Sequence, residues 1–229
     1  YGLALLEADK TDEAQAVFEK LAADYPVPAG TAPNAAPTLV QESQATAIFG
    51  KGRVAQERGQ TAEAGQFFQE LKTTYPWSPK GLEADYGIAQ SLRSQNKPDE
   101  AMQLLGGIIR AQNATAELRA NSFLIYGHIT KDKMTAEADP KKKDENRSSA
   151  IDFFMKIPQF YSGVPGAAAE GLWEGGQLLE QQAAASTDPK FKTQQLGRAK
   201  ASYEQIVKDF PNESFAPRAQ ERLQALPAQ

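Results

Sequence analysis

An all-α solenoid of about five helical hairpins closed by a capping helix is the fold class that this 229-residue sequence predicts, and three observations carry the prediction. Small residues recur twelve positions ahead of an alanine: Gly2 before Ala14, Gly52 before Ala64, Ala89 before Ala101. Each of these alanines opens an apolar stripe at helical spacing, as with Ala64, Phe67, Phe68 and Leu71 at i, i+3, i+4 and i+7. The unit then repeats, as it must, because a hairpin cannot cover its own stripe and needs a neighbour on each side.

The clearest copy runs from Gly52 through a break at Gly59 to Ala64, Phe68, Leu71 and Pro76. Tight packing of two antiparallel helices requires a nearly absent side chain at the crossing, so Gly52 and Ala64 are expected to meet there. The first copy keeps every spacing with Gly2, Ala14, Phe18, Leu21 and Pro26. A third has Ala89, Ala101, Leu105 and Ile108 and no closing proline. The fourth has Gly127, Ala150, Phe154 and Ile157, and the fifth Gly176, Ala199, Tyr203, Ile206 and Pro211.

Small residue, turn, alanine, aromatic, aliphatic and proline in this order resemble the tetratricopeptide repeat, a helical hairpin of about 34 residues. The resemblance implies a right-handed superhelix whose hairpins work by holding another protein. It covers approximately residues 1–26, 41–76, 79–112, 115–161 and 166–211, with a cap at 214–226, as one domain of a longer chain. The alanines depart from the family's regular period, lying 50, 37, 49 and 49 residues apart. The extra residues are expected to be insertions, at 27–40 and 132–147.

Element by element, residues 1–9 end a first helix and 12–25 form its partner, capped by Thr11 with Asp12 and Glu13 at its positive end. Pro, Ala and Gly without apolar period make 27–40 a connecting loop. Helices follow at 41–58 and 61–75. Ser78 and Pro79 are expected to start the next one, by cap and first-turn proline, and Pro98 to start its partner, where Gly106 and Gly107 cost about 1 kcal/mol each unless a neighbouring backbone comes close. The seventh helix spans 115–131. Residues 132–147 carry nearly cancelling charge and read as a solvated loop. The fourth stripe, 149–157, is interrupted by Pro158; helices at 167–184 and 189–210 and the amphipathic cap complete the chain.

Composition excludes several function classes. A net charge of -4 disfavours nucleic-acid or anionic-membrane binding, which needs a long-range positive surface. There is no cysteine, hence neither a disulfide nor a thiolate metal site. No apolar run reaches the roughly eighteen residues that span a bilayer. The single histidine, His128, has no neighbours at metal or triad spacing. Gly50-Lys51-Gly52-Arg53-Val54-Ala55 matches a phosphate-loop pattern only formally, because it falls inside a helical repeat rather than after a strand. The sequence therefore predicts no enzyme, cofactor or metal.

The resemblance places the first helix of each hairpin on an inner, concave wall. Its groove positions fall on Phe49, Arg53 and Gln56; Tyr86, Gln90 and Arg93; Leu124, His128 and Lys131; and Trp173, Gln177 and Glu180. Exposed rings, amides and mixed charge would suit an extended peptide or a helix. The lysine, arginine and asparagine clamp by which some members grip a peptide terminus is missing. The joints Tyr75-Pro76-Trp77-Ser78-Pro79 and Phe210-Pro211-Asn212-Glu213-Ser214 resemble those of bacterial envelope members of the family, the Tol-Pal coordinator and the outer-membrane assembly lipoprotein. They imply a periplasmic or outer-membrane-associated scaffold, with a signal or anchor upstream. The alternative reading is a substrate-positioning region of a larger enzyme or carbohydrate-handling system.

Overall fold

The computed structural model describes residues 1–27 and 38–226, and the described residues are all helix, turn and coil. Eleven helices follow one another among them: α1 (Gly2–Glu7), α2 (Thr11–Asp24), α3 (Leu39–Glu57), α4 (Thr61–Thr74), α5 (Gly81–Ser94), α6 (Pro98–Arg110), α7 (Ala116–Ala136), α8 (Pro140–Phe160), α9 (Pro165–Ala185), α10 (Pro189–Asp209) and α11 (Phe215–Ala225). They form two compact units, 1–110 and 111–229. In the first, α3 packs against α1 and α5 as well as its sequence neighbours, while α2, α4 and α6 do not meet one another. In the second, α9 packs on α7 and α11 in the same way. The odd-numbered helices of each unit thus make a continuous wall, as in stacked hairpins of the tetratricopeptide type.

The packing at the wall differs from expectation in an informative way. Gly52 does not answer Ala64; it answers the ring of Phe68, which a methyl carbon at 52 would approach to 2.6 Å. Gly87 of α5 abuts the same ring from the other side, so Phe68, fully buried, is held between glycines of two successive odd helices. Phe18 sits likewise between Gly2 and Gly50. In the second unit Phe154 rests on Gly127 and Tyr203 on Gly176. The glycines are spaces shaped for rings, and a ring buried there gains the large apolar term of an aromatic.

Turns repeat as faithfully as stripes. Asp9, Gly59 and Asn96 occupy equivalent places and all adopt left-handed backbone, with φ of 57°, 71° and 57°. Each is followed by a residue whose N–H reaches back over the turn, from Lys10, Gln60 and Lys97 to the carbonyls of Leu5, Ala55 and Leu92 at 2.8–2.9 Å. This closes the helix in the manner of a Schellman motif. Four of the five even helices end on a ring, α6 being the exception: Tyr25, Tyr75, Tyr161 and Phe210 are their C-caps, with φ between -124° and -134°. Tyr161 belongs to this set although no proline follows it.

Residues 132–147 are not a loop. Gly127 and Ala150 lie 23 residues apart, as do Gly176 and Ala199, against 12 in the first unit. Relative to α3 and α4, the surplus is divided the same way in both hairpins: the odd helix runs four residues further and the even one begins seven residues earlier. A surplus of eleven residues is close to three helical turns, so both helices keep their faces in register. Asp139 and Asp188 accept hydrogen bonds from the first-turn amides of α8 and α10, each followed by proline at the first helical position. Charge balance along 132–147 therefore described the wet side of two helices. Inside the extension lie Met134, Ala183, Gln195 and Arg147, whose guanidinium donates to Asp144 at 2.7 Å.

Other boundaries shift for local reasons. Thr11 and Ser78 do not cap: Thr11 is the first residue of α2, and Ser78 accepts only the N–H of Lys80 at 3.3 Å, in a turn that delays α5 to Gly81. Of the insertion 27–40, residues 28–37 lie outside the described residues; Thr38 caps α3 in a capping box with Gln41, and Leu39 and Val40 are already helical. Pro158 lies within α8, which continues to Phe160. No backbone approaches Gly106 or Gly107; around Gly107 there is open space, and Gly106 faces the side chain of Arg110.

Candidate functional site

The wall of odd-numbered helices is where the sequence placed its candidate binding residues, and polar rungs tie one helix of each wall to the next. In the first unit Gln56 of α3 donates to Gln90 of α5 at 2.6 Å, and Gln90 donates to the Tyr86 hydroxyl at 3.4 Å. Arg53 lies 3.6 Å from Glu57 on its own helix, and Arg93 is half-buried. Three of these five side chains, Gln56, Gln90 and Tyr86, thus come together across two helices.

In the second unit His128 and Lys131 of α7 meet Glu170 and Glu174 of α9, at 2.8 and 2.5 Å. The His128 ring also stands edge-on to Phe154, 5.2 Å away. Gln177 follows on the same face of α9, half-buried and without a hydrogen-bond partner among the described residues. On the other flank Glu180 receives Nε of Arg222 at 2.9 and 3.1 Å, its Nη2, and the Tyr203 hydroxyl at 2.6 Å. A carboxylate held by a guanidinium fork and a phenol is a strong, directional arrangement.

Three candidates are core residues instead of exposed rings. Phe49 is 2 % exposed and leans on Phe68, with the Lys80 ammonium 5.3 Å over its face. Leu124 belongs to the core of the second unit. Trp173 is 6 % exposed, enclosed by Tyr203, Phe215 and the guanidinium of Arg218, which lies 4.4 Å from the ring centroid. Phe49 and Trp173 are covered alike, by a ring of the second helix of their own hairpin, Phe68 or Tyr203, and by a basic side chain from the element that follows, Lys80 or Arg218. Glu170, Glu174 and Arg222 pair with candidates and Arg218 covers one, and the sequence singled out none of the four for the wall. The spacing of Glu170, Glu174 and Gln177 at i, i+4 and i+7 was the available signal.

The Glu180 cluster makes a prediction about pH. Burial works against charge on this carboxyl, but hydrogen bonds from Arg222 and Tyr203 outweigh it and hold the group below its ordinary value of 4.5. Burial, and then the bond to Glu180, push the Tyr203 hydroxyl well up. Since the folded carboxyl binds its proton less readily than the unfolded one, its contribution is whole above pH 4.5 and is lost as the pH falls through the folded value. Urea midpoints of the second unit measured from about pH 6 to about pH 3 should fall less steeply in Glu180→Gln than in the parent; parallel slopes would contradict the assignment.

What the wall can do follows from its chemistry. It offers amides, a phenol and paired charges, and among the described residues no group of three or more His, Cys, Asp or Glu could hold a metal ion. Residues 1–26 and 46–76 match the tetratricopeptide repeat family model. No curated protein matches the sequence. The match covers the first two hairpins, and the tetratricopeptide pattern of small residue, alanine and stripe continues geometrically through α5–α6, α7–α8 and α9–α10. Tetratricopeptide repeats generally mediate contacts between proteins rather than catalysis, and no described helix is long and apolar enough to cross a membrane.

Proposed function

We propose that this protein is a non-catalytic scaffold that holds a peptide or helix of a partner protein against its odd-helix wall, as part of a bacterial cell-envelope assembly. The observation that carries the reading is the Gln56, Gln90 and Tyr86 network at 2.6 and 3.4 Å, half-buried on the wall and flanked by Arg53 and Arg93. Side-chain amides already bonded to one another can exchange that bond for the backbone of an incoming chain at little net cost, while ring faces add contact area. The envelope context is supported by the two joints at 75–79 and 210–214. Their backbones turn alike, with Ser78 N–H donating to the Tyr75 carbonyl at 2.9 Å and Glu213 N–H to the Phe210 carbonyl at 3.1 Å.

The test is a charge reversal. Arg53→Glu combined with Arg93→Glu is expected to leave helicity and melting nearly unchanged while abolishing capture of partners from a lysate of the native organism, with the captured proteins identified by mass spectrometry. Unaltered capture would take the wall out of the account. Cell fractionation of the native protein addresses the compartment: recovery with the envelope supports the context, and recovery in the cytosol removes it.

A further inference from the structure

The second unit leaves a groove on its even-helix side. About 240 Å³ lie open between Met155 of α8 and Ala201 and Ser202 of α10, over Leu172 of α9. Leu172 stands two residues from Glu170 and from Glu174, which on a helix turns it away from the wall. The repeats explain why there is space. Three residues on from its repeat alanine, every other even helix carries a large apolar side chain: Val17, Phe67, Leu104 and Phe153. Val17, Phe67 and Leu104 pack half-buried against the cores of the first unit, and the Phe153 ring lies 4.6 Å from that of Tyr126. In α10 the position falls to Ser202, whose hydroxyl is engaged by its own helix, donating to the Arg198 carbonyl at 3.0 Å.

We propose that this groove takes one leucine or phenylalanine side chain from an extended segment of a partner protein, where the other hairpins use a side chain of their own. The surface is separate from the odd-helix wall, and the inference goes beyond the reading of that wall. Size selects the occupant: pockets for whole small molecules run from about 300 Å³ upward, whereas a single side chain suits the space here. Sides and floor are apolar through Met155, Ala201 and Leu172, so a charged tip would lose its water without a replacement partner. The Met155 tip, which rests on Gly175, is flexible enough to fit either a ring or a branched chain. The amides of Gln159 on α8 and Gln205 on α10 also line the groove, and neither is hydrogen-bonded to another described residue. Each both donates and accepts. An extended segment has free N–H and C=O groups to meet them, while a helix keeps its own paired.

Met155 is one of three methionines, with Met102 and Met134, so its ε-methyl is a resolvable NMR reporter, assigned through Met155→Leu. Capped Ala-Phe-Ala and Ala-Leu-Ala peptides should shift this methyl saturably and leave that of Met102 in place, and capped Ala-Gly-Ala should shift neither. Ser202→Leu, which restores the residue type of the other even helices, should weaken both peptides about tenfold or more, the worth of one buried apolar side chain. It should also raise the urea midpoint by filling the space. Ser202→Val takes its place if the leucine variant loses helicity by circular dichroism. No saturable shift in the parent, an equal shift from Ala-Gly-Ala, or unchanged peptide affinity in the filled variant overturns the proposal, as does a urea midpoint that falls in both variants. None of these results bears on capture through Arg53 and Arg93, which its own experiment decides.

Discussion

Phe68→Ala lowers the stability of the first unit by about 3–5 kcal/mol. The ring is fully buried and glycines line two of its sides, where there is no side chain to lean into the space left behind. Losses of large residues are greatest where the surroundings cannot collapse. Because the chain forms two compact units, the effect is to be read locally, as loss of amide-exchange protection in α3, α4 and α5, with protection in α9 and α10 retained. A loss below about 1 kcal/mol would mean that the ring is not what spaces these helices.

The repeats carry an internal control for that argument. Wherever the even helix supplies a ring at the position of Phe68, the odd helix of that hairpin supplies glycine: Gly2 with Phe18, Gly127 with Phe154, Gly176 with Tyr203. The third hairpin supplies Leu105, and its small residue is Ala89; both are fully buried. Glycine with a ring and alanine with leucine are two fillings of one volume. Gly52→Ala on its own should therefore be destabilising by overpacking, and Gly52→Ala with Phe68→Leu should be less so than the sum of the two single changes.

This complementarity also marks how far the sequence was legible. Alanines that open an apolar stripe were legible in every hairpin, because the distances within a stripe depend only on the helical period. Glycine's true partner was not legible, since a spacing of twelve says which residues share a crossing height and not which side chain enters it. The eleven extra residues of α7 and α8 escaped for a different reason. Their composition, rich in Lys, Asp and Glu, suits an exposed helix as well as a loop, and only the division shared with α9 and α10, four residues to the odd helix and seven to the even one, reveals them as helical turns. Of the candidate site, the charged and amide positions lie half-buried along the odd helices, while Phe49, Leu124 and Trp173 are buried, because a groove position says which helix a residue is on and not which side chains of the neighbouring helices cover it.

Two changes of glycine to alanine should have opposite signs, and the contrast rests on a single proline. Pro158 has no N–H, so the carbonyl of Phe154, one turn earlier in α8, lacks its helical donor. Gly171 of α9 packs directly on that carbonyl: a methyl carbon there would stand 2.7 Å from the oxygen, with Ile157 at 3.3 Å behind it. Backbone within a helix cannot swing aside as a side-chain tip can. Gly171→Ala is therefore expected to cost about 2–3 kcal/mol even after the helical preference of alanine is counted. Gly107 also lies inside a helix, but nothing stands within 4 Å of where its methyl would be. There the preference acts unopposed, and Gly107→Ala should stabilise α6 by about 1 kcal/mol. Urea unfolding of the two variants decides the matter: equal signs would mean that contact with the freed carbonyl does not govern how α8 and α9 pack.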